Sequence, residues 1–350
     1  MKAEYKKYIL DFKRPSGTSR GVLHQKETWF LVIKDGDRFG IGECGILRGL
    51  SIDDVPDYEA KLKWTCDNIH LGSKKLWSQL ADFPSIQFGI EQAFVSYESK
   101  EPFELFPSPF TKEARPIAIN GLVWMGDEGF MLEQIQQKLA EGFNCIKMKI
   151  GAIDFDTEIS LLSSIRKKYN KNQIELRVDA NGAFKMEEAM EKLKILSQYD
   201  LHSIEQPIKQ GHSSEMMELC ANSPLPIALD EELIGVTSLK EKEKLLKAIR
   251  PHYIILKPSL VGGFRGSSEW IDIAEKYHIG WWVTSALESN IGLNAIAQWT
   301  ATLQNDLPQG LGTGSLYTNN IKSPLKVENG KIYYQKNETW DMNKIEQICT

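Results

Sequence analysis

From residue 116 onward, short apolar runs alternate with longer segments in which apolar residues recur at helical spacing. Val236 to Arg250, for example, places Leu239, Leu246 and Ile249 on one helical face. The apolar runs predict strands near residues 116–124, 145–150, 174–180, 203–207, 226–231, 253–258, 281–286 and 309–313. Eight strands alternating with helices favour a parallel (β/α) barrel of the TIM type, and alternation alone leaves a doubly wound open sheet as the alternative.

The residues before and after this region follow a different pattern. Thr28 to Lys34 and Arg38 to Glu43 flank an Asp-Gly-Asp turn and predict a hairpin, and residues 84–100 read as a helix. A Pro-rich stretch at 102–116 reads as a linker. Lys331 to Gln335 predicts a strand in a tail that returns to the N-terminal part. The expected division is an α+β domain at 1–112, a catalytic barrel at 113–320 and a returning segment at 321–350.

Composition narrows the classes of function. The chain has 350 residues, of which 42% are hydrophobic and 25% charged, enough for one large core and a smaller domain. The net charge is −5, and the chain has no basic stretch of the kind that binds nucleic acids. No apolar run approaches the length needed to span a membrane. Five scattered cysteines and a start without signal-peptide features favour a cytoplasmic protein with free thiols. The expected partner is a small molecule, and the oligomeric state stays open.

Charged residues occupy positions in the predicted strands where core residues are expected. Lys147 and Lys149 alternate with apolar neighbours, so both point to one side of their strand. Taken alone, this segment fits an edge strand with both lysines in water. The next four strands end in charged residues as well, namely Asp179, Glu205, Asp230 and Lys257. Because the C-terminal ends of barrel strands share one face, these groups should converge at the active-site face.

This set of residues has a definite chemistry. Asp179, Glu205 and Asp230 form a hard oxygen site without His or Cys, and such a site suits Mg²⁺. Any one of the three could instead cap a helix. Lys149 and Lys257 lie on opposite sides of the barrel, where a base and a cation would bracket a substrate carboxylate. The dication and neighbouring ammonium groups should lower the lysine pKa values towards a usable range.

Several short motifs together resemble the enolase superfamily, in its muconate-lactonizing subgroup. They are Lys147-Met148-Lys149, Arg177-Val178-Asp179-Ala180-Asn181, Ile204-Glu205-Gln206-Pro207, Leu229-Asp230-Glu231 and Leu256-Lys257-Pro258. The resemblance implies a modified barrel with an α+β N-terminal capping domain that the C-terminal tail completes. Residues 40–44 are similar to its capping hairpin, and Thr18 to Leu23 to its mobile substrate loop.

The resemblance also implies roles for individual residues. Lys149 would remove an α-proton, Lys257 would stabilise the resulting enediolate, and Lys147 would contact the substrate carboxylate. Mg²⁺ would be held by Asp179, Glu205 and Asp230. Further substrate contacts would come from Ser285, Gly312 and Thr313.

The eighth strand bears on the substrate. Gly312-Thr313-Gly314 stands where dipeptide epimerases of the subgroup carry Asp-x-Asp, and the loss of acid fits a dianionic substrate. The implied reaction is a syn-dehydration of 2-succinyl-6-hydroxy-2,4-cyclohexadiene-1-carboxylate to 2-succinylbenzoate in menaquinone biosynthesis. An N-acylamino acid racemase or dipeptide epimerase is the alternative. A metal-free barrel aldolase with Lys257 as Schiff-base lysine and a non-catalytic binding barrel are more distant rivals.

Two further charged residues have open roles. Arg177 shares a face with Asp179 and either orients Asp179 or Lys149 or balances charge inside the barrel. Glu288 either supports Lys257 or lies at the surface or a helix cap.

Overall fold

The computed structural model describes residues 1–18 and 21–349. The strands are β1 Lys2–Thr18, β2 Gly21–Asp35, β3 Arg38–Gly45, β4 Ile117–Ala118, β5 Gly121–Val123, β6 Cys145–Lys149, β7 Glu175–Asp179, β8 Ser203–Glu205, β9 Ile227–Leu229, β10 Tyr253–Leu256, β11 Gly280–Val283, β12 Leu325–Glu328 and β13 Lys331–Tyr334. The helices are α1 Tyr58–Asp67, α2 Ser73–Ser78, α3 Pro84–Glu98, α4 Pro109–Lys112, α5 Glu128–Ala140, α6 Phe155–Lys168, α7 Met186–Leu196, α8 Ser213–Asn222, α9 Leu239–Ile249, α10 Pro258–Val261, α11 Gly263–Lys276, α12 Asn290–Thr302 and α13 Met342–Cys349.

Strands β5 to β11 form one curled sheet in which every pairing is parallel. From β6 onward, each strand is hydrogen-bonded to the strand before it in the chain, which gives the order β11-β10-β9-β8-β7-β6-β5. A doubly wound sheet would reverse the strand order at its centre, so this uninterrupted order excludes that alternative. The predicted barrel architecture is confirmed.

The barrel closes through a seam rather than through a full eighth strand. Gln309 bridges to Ile119 and Gly310 bridges to Thr284, both in parallel. The predicted strand at 309–313 is therefore too long, because the glycines that follow turn into a short 3₁₀ segment at Thr313–Ser315. The predicted strand at 116–124 is split into β4 and β5, and only β5 belongs to the barrel sheet.

Helices cover the outside of the sheet, as the amphipathic pattern predicts. In α9, Leu246 and Ile249 are buried, but Leu239 is 57% exposed, so its predicted place on the buried face is wrong. Leu239 is the first residue after the N-cap Ser238, whose side chain accepts a hydrogen bond from the backbone of Glu241. Leu239 therefore lies in the first turn of α9, outside the buried part of the helix.

The N-terminal sheet has the order β1-β2-β3 and is antiparallel throughout. The predicted hairpin is present as β2 and β3. Helix α3 lies so close to β3 that a side chain at Gly42 would meet the carbonyl oxygen of Gly89 at 2.0 Å. The predicted linker at 102–116 contains α4, so part of it is helical.

The tail divides into two parts. The predicted strand near 331–335 forms as β13, which pairs with β12 and with β4 beside the barrel. Helix α13 instead packs on the N-terminal sheet, where Ile345 and Ile348 join Phe30 and Val32 in one buried cluster. The two faces of the N-terminal sheet are thus covered by α1–α3 and by α13.

Among residues 1–18 and 21–349, we find no helix with both the length and the apolar character of a membrane span. Each of the five cysteines is a free thiol, and four of them are buried.

Candidate active site

A layer of six charged side chains fills the C-terminal end of the barrel. Lys149, Asp179 and Glu205 are direct cross-strand neighbours on β6, β7 and β8. Asp230 and Lys257 follow the last residues of β9 and β10. Lys147 and Lys149 are only 9% and 8% exposed, so the edge-strand interpretation of β6 is wrong. The fold brings together all six residues predicted to share this face.

The lysines and carboxylates of this layer form a continuous network of ion pairs. Lys147 Nζ lies 2.9 Å from Asp179 Oδ2 and also hydrogen-bonds Glu205. Lys149 Nζ donates to Asp179 Oδ2 at 2.9 Å. Lys257 Nζ hydrogen-bonds Asp230 and lies 3.8 Å from Glu205 Oε1. Three ammonium groups therefore face three carboxylates.

Burial and charge set the proton affinities of these groups. Burial lowers the pKa of Lys147, but the attraction of Asp179 and Glu205 outweighs it and raises that pKa. For Lys257, Asp230 and Glu205 likewise outweigh burial and raise the pKa. Burial favours protonated Asp179, but Lys147 and Lys149 hold its pKa well below the usual range. Burial, followed by repulsion from Asp179, raises the pKa of Glu205. Lowered lysine pKa values stay a prediction for the metal-bound enzyme, where a dication would offset these carboxylates.

The carboxylates fit a divalent cation in chemistry, although the ammonium groups now lie between them. Asp179, Glu205 and Asp230 are at most 2% exposed. Glu205 Oε1 is buried and accepts no hydrogen bond from the described residues. As the side chains stand, no three His, Cys, Asp or Glu residues within 1–18 and 21–349 form a ready metal-ligand group. Binding of Mg²⁺ here would require Lys147 and Lys257 to move away from the carboxylates they contact.

Asn181 and Glu231 belong to the same layer, although no pattern in the sequence predicted a role for them. Lys149 Nζ donates to Asn181 Oδ1 at 2.6 Å, and Asn181 Nδ2 donates to Glu231 Oε1 at 3.0 Å. The amide orientation follows from these partners, since its oxygen faces an ammonium and its nitrogen a carboxylate. Asn181 also has a left-handed backbone, with φ of 46°, directly after Asp179-Ala180. Asparagine adopts this conformation more readily than most residues other than glycine.

A cavity of about 330 Å³ opens above the charged layer. Lys147, Lys149, Asp179 and Lys257 form its polar floor. The predicted substrate contacts also line it, and Ser285 Oγ lies 2.5 Å from Thr313 Oγ1. Its apolar wall consists of Leu23, Leu47, Leu50, Trp124, Leu287 and Leu316. The lining of the cavity therefore combines cationic groups with apolar surface.

The paired ends of β1 and β2, near residues 17 and 21–23, lie over this cavity. Gly21, Val22 and Leu23 line it, and Gly17 bridges to Met125 after the first barrel strand. Three residues of the predicted substrate loop thus line the cavity, but they belong to strand β2. Ser19 and Arg20, in the centre of that predicted loop, lie outside the described residues.

For Arg177 and Glu288, the structure decides among the roles considered. Arg177 contacts Glu175 and the Pro308 carbonyl at the opposite end of the barrel, and the described residues show no hydrogen bond from it to Asp179. It balances charge inside the barrel. Glu288 is fully buried, which excludes a surface position. It accepts hydrogen bonds from Ser259 Oγ at 2.6 Å and from the Ala286 backbone at 2.7 Å, so any support of Lys257 is indirect.

Comparison with known proteins identifies the family. Residues 131–337 match the family model described as Enolase C-terminal domain-like. A curated relative from Desulfotalea psychrophila, o-succinylbenzoate synthase, is 48% identical across 95% of this chain and 98% of its own length. The chain belongs to the enolase superfamily. The resemblance inferred from the motifs is confirmed.

Solved structures extend the enolase-superfamily match to the whole fold. The crystal structure of MenC from Desulfotalea psychrophila is 43% identical, covers 95% of this chain and 99% of that one, and superimposes with a TM-score of 0.84. Muconate lactonizing enzyme from Pseudomonas fluorescens, at 21% identity, covers 99% and 98% of the two chains with a TM-score of 0.83. The latter likeness concerns the fold alone.

Proposed function

We propose that the chain catalyses the o-succinylbenzoate synthase reaction, a hydro-lyase reaction on a cyclohexadiene dicarboxylate. The observation that carries the proposal is the 48% identity to a protein of that name over nearly the full length of both chains. The charged layer supports it, because two lysines flank the position where a substrate carboxylate would lie. By the same resemblance, the reaction would serve menaquinone biosynthesis in the cytoplasm.

In this proposal, Lys149 acts first as base and then as acid. Its neutral amine takes the α-proton of 2-succinyl-6-hydroxy-2,4-cyclohexadiene-1-carboxylate, and the resulting ammonium returns that proton to the departing hydroxyl. One C–H bond and one C–O bond break, a ring double bond forms, and water leaves. A single lysine can do both because a syn-elimination keeps the proton and the hydroxyl on one face of the ring.

Lys257 and Lys147 act as cations in this scheme. In the structure, neighbouring carboxylates raise both pKa values despite burial, and a divalent ion would take over part of that negative charge. Lys257 would stabilise the enediolate from the face opposite Lys149, and Lys147 would contact the substrate carboxylate. Preorganised charges in a water-poor site stabilise a developing anion strongly.

Asp179, Glu205 and Asp230 would hold Mg²⁺. When bound, the ion supplies Lewis-acid stabilisation for the negative charge that develops on the substrate carboxylate. Lys149, whose ammonium group donates to Asp179 in the structure, would then face a carboxylate that the ion neutralises in part.

Ser285, Gly312 and Thr313 would bind substrate above the lysines. The hydroxyls of Ser285 and Thr313 already lie within hydrogen-bond distance of each other and line the cavity.

We also propose the division of the chain into domains at residues 1–112, 113–320 and 321–350, since α13 completes the core on the N-terminal sheet.

The decisive test gives the purified protein the cyclohexadiene acid with Mg²⁺ and follows absorbance as the ring becomes aromatic. We expect turnover that EDTA removes and added Mg²⁺ restores. The control arm offers N-acylated amino acids and measures α-proton exchange in deuterated water. Exchange without aromatisation would reject the dehydration in favour of the racemase alternative, and activity that persists in EDTA would favour a Schiff-base lysine.

A further inference from the structure

Lys26 on β2 carries a buried ammonium group in the contact region between the N-terminal sheet and the barrel. The residue is 4% exposed, and its Nζ forms no hydrogen bond within the described residues. The ammonium lies against Gly45, where a side-chain carbon would meet it at 2.7 Å. A buried cation without a hydrogen-bond partner is costly, so nearby negative charge is needed to retain it.

One of the neighbouring carboxylates belongs to Glu43 on β3, which is fully buried. The same side-chain carbon at Gly45 would lie 3.1 Å from Thr28 Oγ1, the hydroxyl that donates to Glu43. Its Oε1 accepts hydrogen bonds from Thr28 Oγ1 and the Ser289 backbone, each at 2.9 Å. Its Oε2 accepts from Ser289 Oγ at 2.5 Å and the Gly292 backbone at 2.9 Å. A residue of the N-terminal sheet thereby caps α12, the helix that follows the seventh barrel strand.

The second carboxylate is Glu288, one residue before Ser289. A side-chain carbon at Gly292 would lie 2.8 Å from Glu288 Cγ and 2.9 Å from Glu43 Oε2. Both acidic side chains therefore pack against the Cα atom of Gly292. Glu288 holds Ser259 and Ala286. Ser259 comes two residues after Lys257, and Ala286 directly follows Ser285.

We propose that Lys26, Glu43 and Glu288 form one buried charge cluster through which the N-terminal sheet positions Lys257 and Ser285 for the reaction. This inference rests on the proposed function and adds positioning residues to it. A single cation serves two carboxylates, and at low effective dielectric its attraction extends beyond hydrogen-bond distance. Burial raises the pKa of Glu288 and Lys26 counteracts that effect, so without Lys26 the carboxylate would either repel Glu43 or take up a proton. Both outcomes would disturb its contact with Ser259.

The test first removes the positive charge of Lys26 and then, in a double variant, also the negative charge of Glu288. Lys26→Met keeps the apolar stem, and we expect kcat to fall on the order of 10- to 100-fold, the scale of a small misplacement of catalytic groups. The Mg²⁺ affinity measured by calorimetry should stay nearly unchanged, since none of the proposed ligands Asp179, Glu205 and Asp230 belongs to the cluster. The double variant Lys26→Met/Glu288→Gln should recover most of the lost kcat. The neutral amide can still accept from Ala286, and the Ser259 hydroxyl can turn to accept from it.

A purely structural role for Lys26 predicts a different pattern. It would lower the melting temperature of Lys26→Met without the rescue, and the two substitutions would simply add. The matched control is Lys242→Met, another buried lysine, whose Nζ donates to Gly266 and Glu269 away from the cavity. We expect it to lose stability while kcat is kept.

Ser259→Ala tests the link to Lys257 without changing any charge, so it decides the matter should Lys26→Met fail to fold. We expect it to lower kcat several-fold, while the melting temperature falls by only a few degrees because one buried carboxylate oxygen loses its donor. Wild-type kcat in Ser259→Ala, or additive losses in the double variant, would overturn the proposed cluster. A wild-type protein that does not aromatise the substrate would reject the proposed function instead.

Discussion

The two ends of the barrel interior contain the same kinds of charged groups but arrange them differently. Strand β7 contributes to both, since Arg177 and Asp179 are two residues apart and point to the same side of the strand. Arg177 belongs to the lower layer, together with Glu175, His202 and Trp282. Asp179 belongs to the upper layer that forms the floor of the cavity.

In the lower layer, each charge has a fixed partner. Arg177 Nε lies 2.7 Å from Glu175, its Nη1 donates to the Pro308 carbonyl at 2.9 Å, and its guanidinium carbon lies 4.2 Å from the Trp282 ring centroid. In the upper layer, carboxylates are shared among lysines, and Lys147 serves two of them. A layer whose partners are shared can exchange them for a metal ion or a substrate. The lower layer, in contrast, stabilises the barrel.

The strongest challenge to this comparison is Lys149→Ala, which removes the only proposed base. We expect aromatisation to slow on the order of 10⁴-fold, because proton transfer in both directions is lost. Absorbance assays measure the rate, and circular dichroism checks the fold. A rate within tenfold of wild type would contradict the role of Lys149.

A pair of matched carboxylate variants compares the layers directly. Glu205→Gln should weaken Mg²⁺ binding about 100-fold or more by calorimetry, since a neutral amide replaces a hard anionic ligand. Glu175→Gln makes the same chemical change in the lower layer and should leave Mg²⁺ affinity at the wild-type value. Equal losses in both variants would show that the distinction between layers is wrong.

Arg177→Met should destabilise the fold without altering the chemistry. Removing one partner of a well-buried ion pair is costly, and because Glu175 keeps some contact with water we expect a loss of about 2 kcal/mol. Denaturant titration measures the loss. A fall in kcat larger than the fall in stability would instead place Arg177 in the catalytic layer.

The smallest effect concerns the pH dependence of stability. Burial, with a further contribution from Arg177, lowers the pKa of His202, although Glu175 acts in the opposite direction. The unfolded chain therefore binds a proton more readily than the folded one. Stability should fall as the pH drops below the ordinary histidine pKa of about 6.5. His202→Gln should reduce this loss between pH 7 and 5 in thermal melts, whereas His70→Gln, at an exposed position, should not.

The sequence is most informative where one strand follows another at regular spacing. The strand-end positions of Asp179, Glu205, Asp230 and Lys257 are separated by one strand–helix unit each, and the fold brings all four together as predicted. The superfamily and the barrel were likewise predictable, because the motifs and the alternation extend over most of the chain.

Features that depend on contacts between distant segments were not predictable in this way. The bridges at Gln309 and Gly310 depend on edges that meet only when the sheet curls. In the sequence, Arg177 and Asp179 looked alike, because the two-residue period of a strand shows which side of the sheet a residue faces. It does not show which groups the side chain contacts there. Glu43 and Ser289 are 246 residues apart in the chain, and no local pattern predicts their hydrogen bond.

The position of α13 has a consequence for biosynthesis. Its apolar side chains complete the core around Phe30 and Val32, yet the entire barrel separates them from β2 in the chain. The ribosome must therefore synthesise all the barrel segments before α13 can cover the second face of the N-terminal sheet. Such a contact order makes loop closure slow, and the nascent sheet has to wait with one apolar face uncovered. Chaperone demand during synthesis should accordingly be greatest for the part of the protein that emerges first.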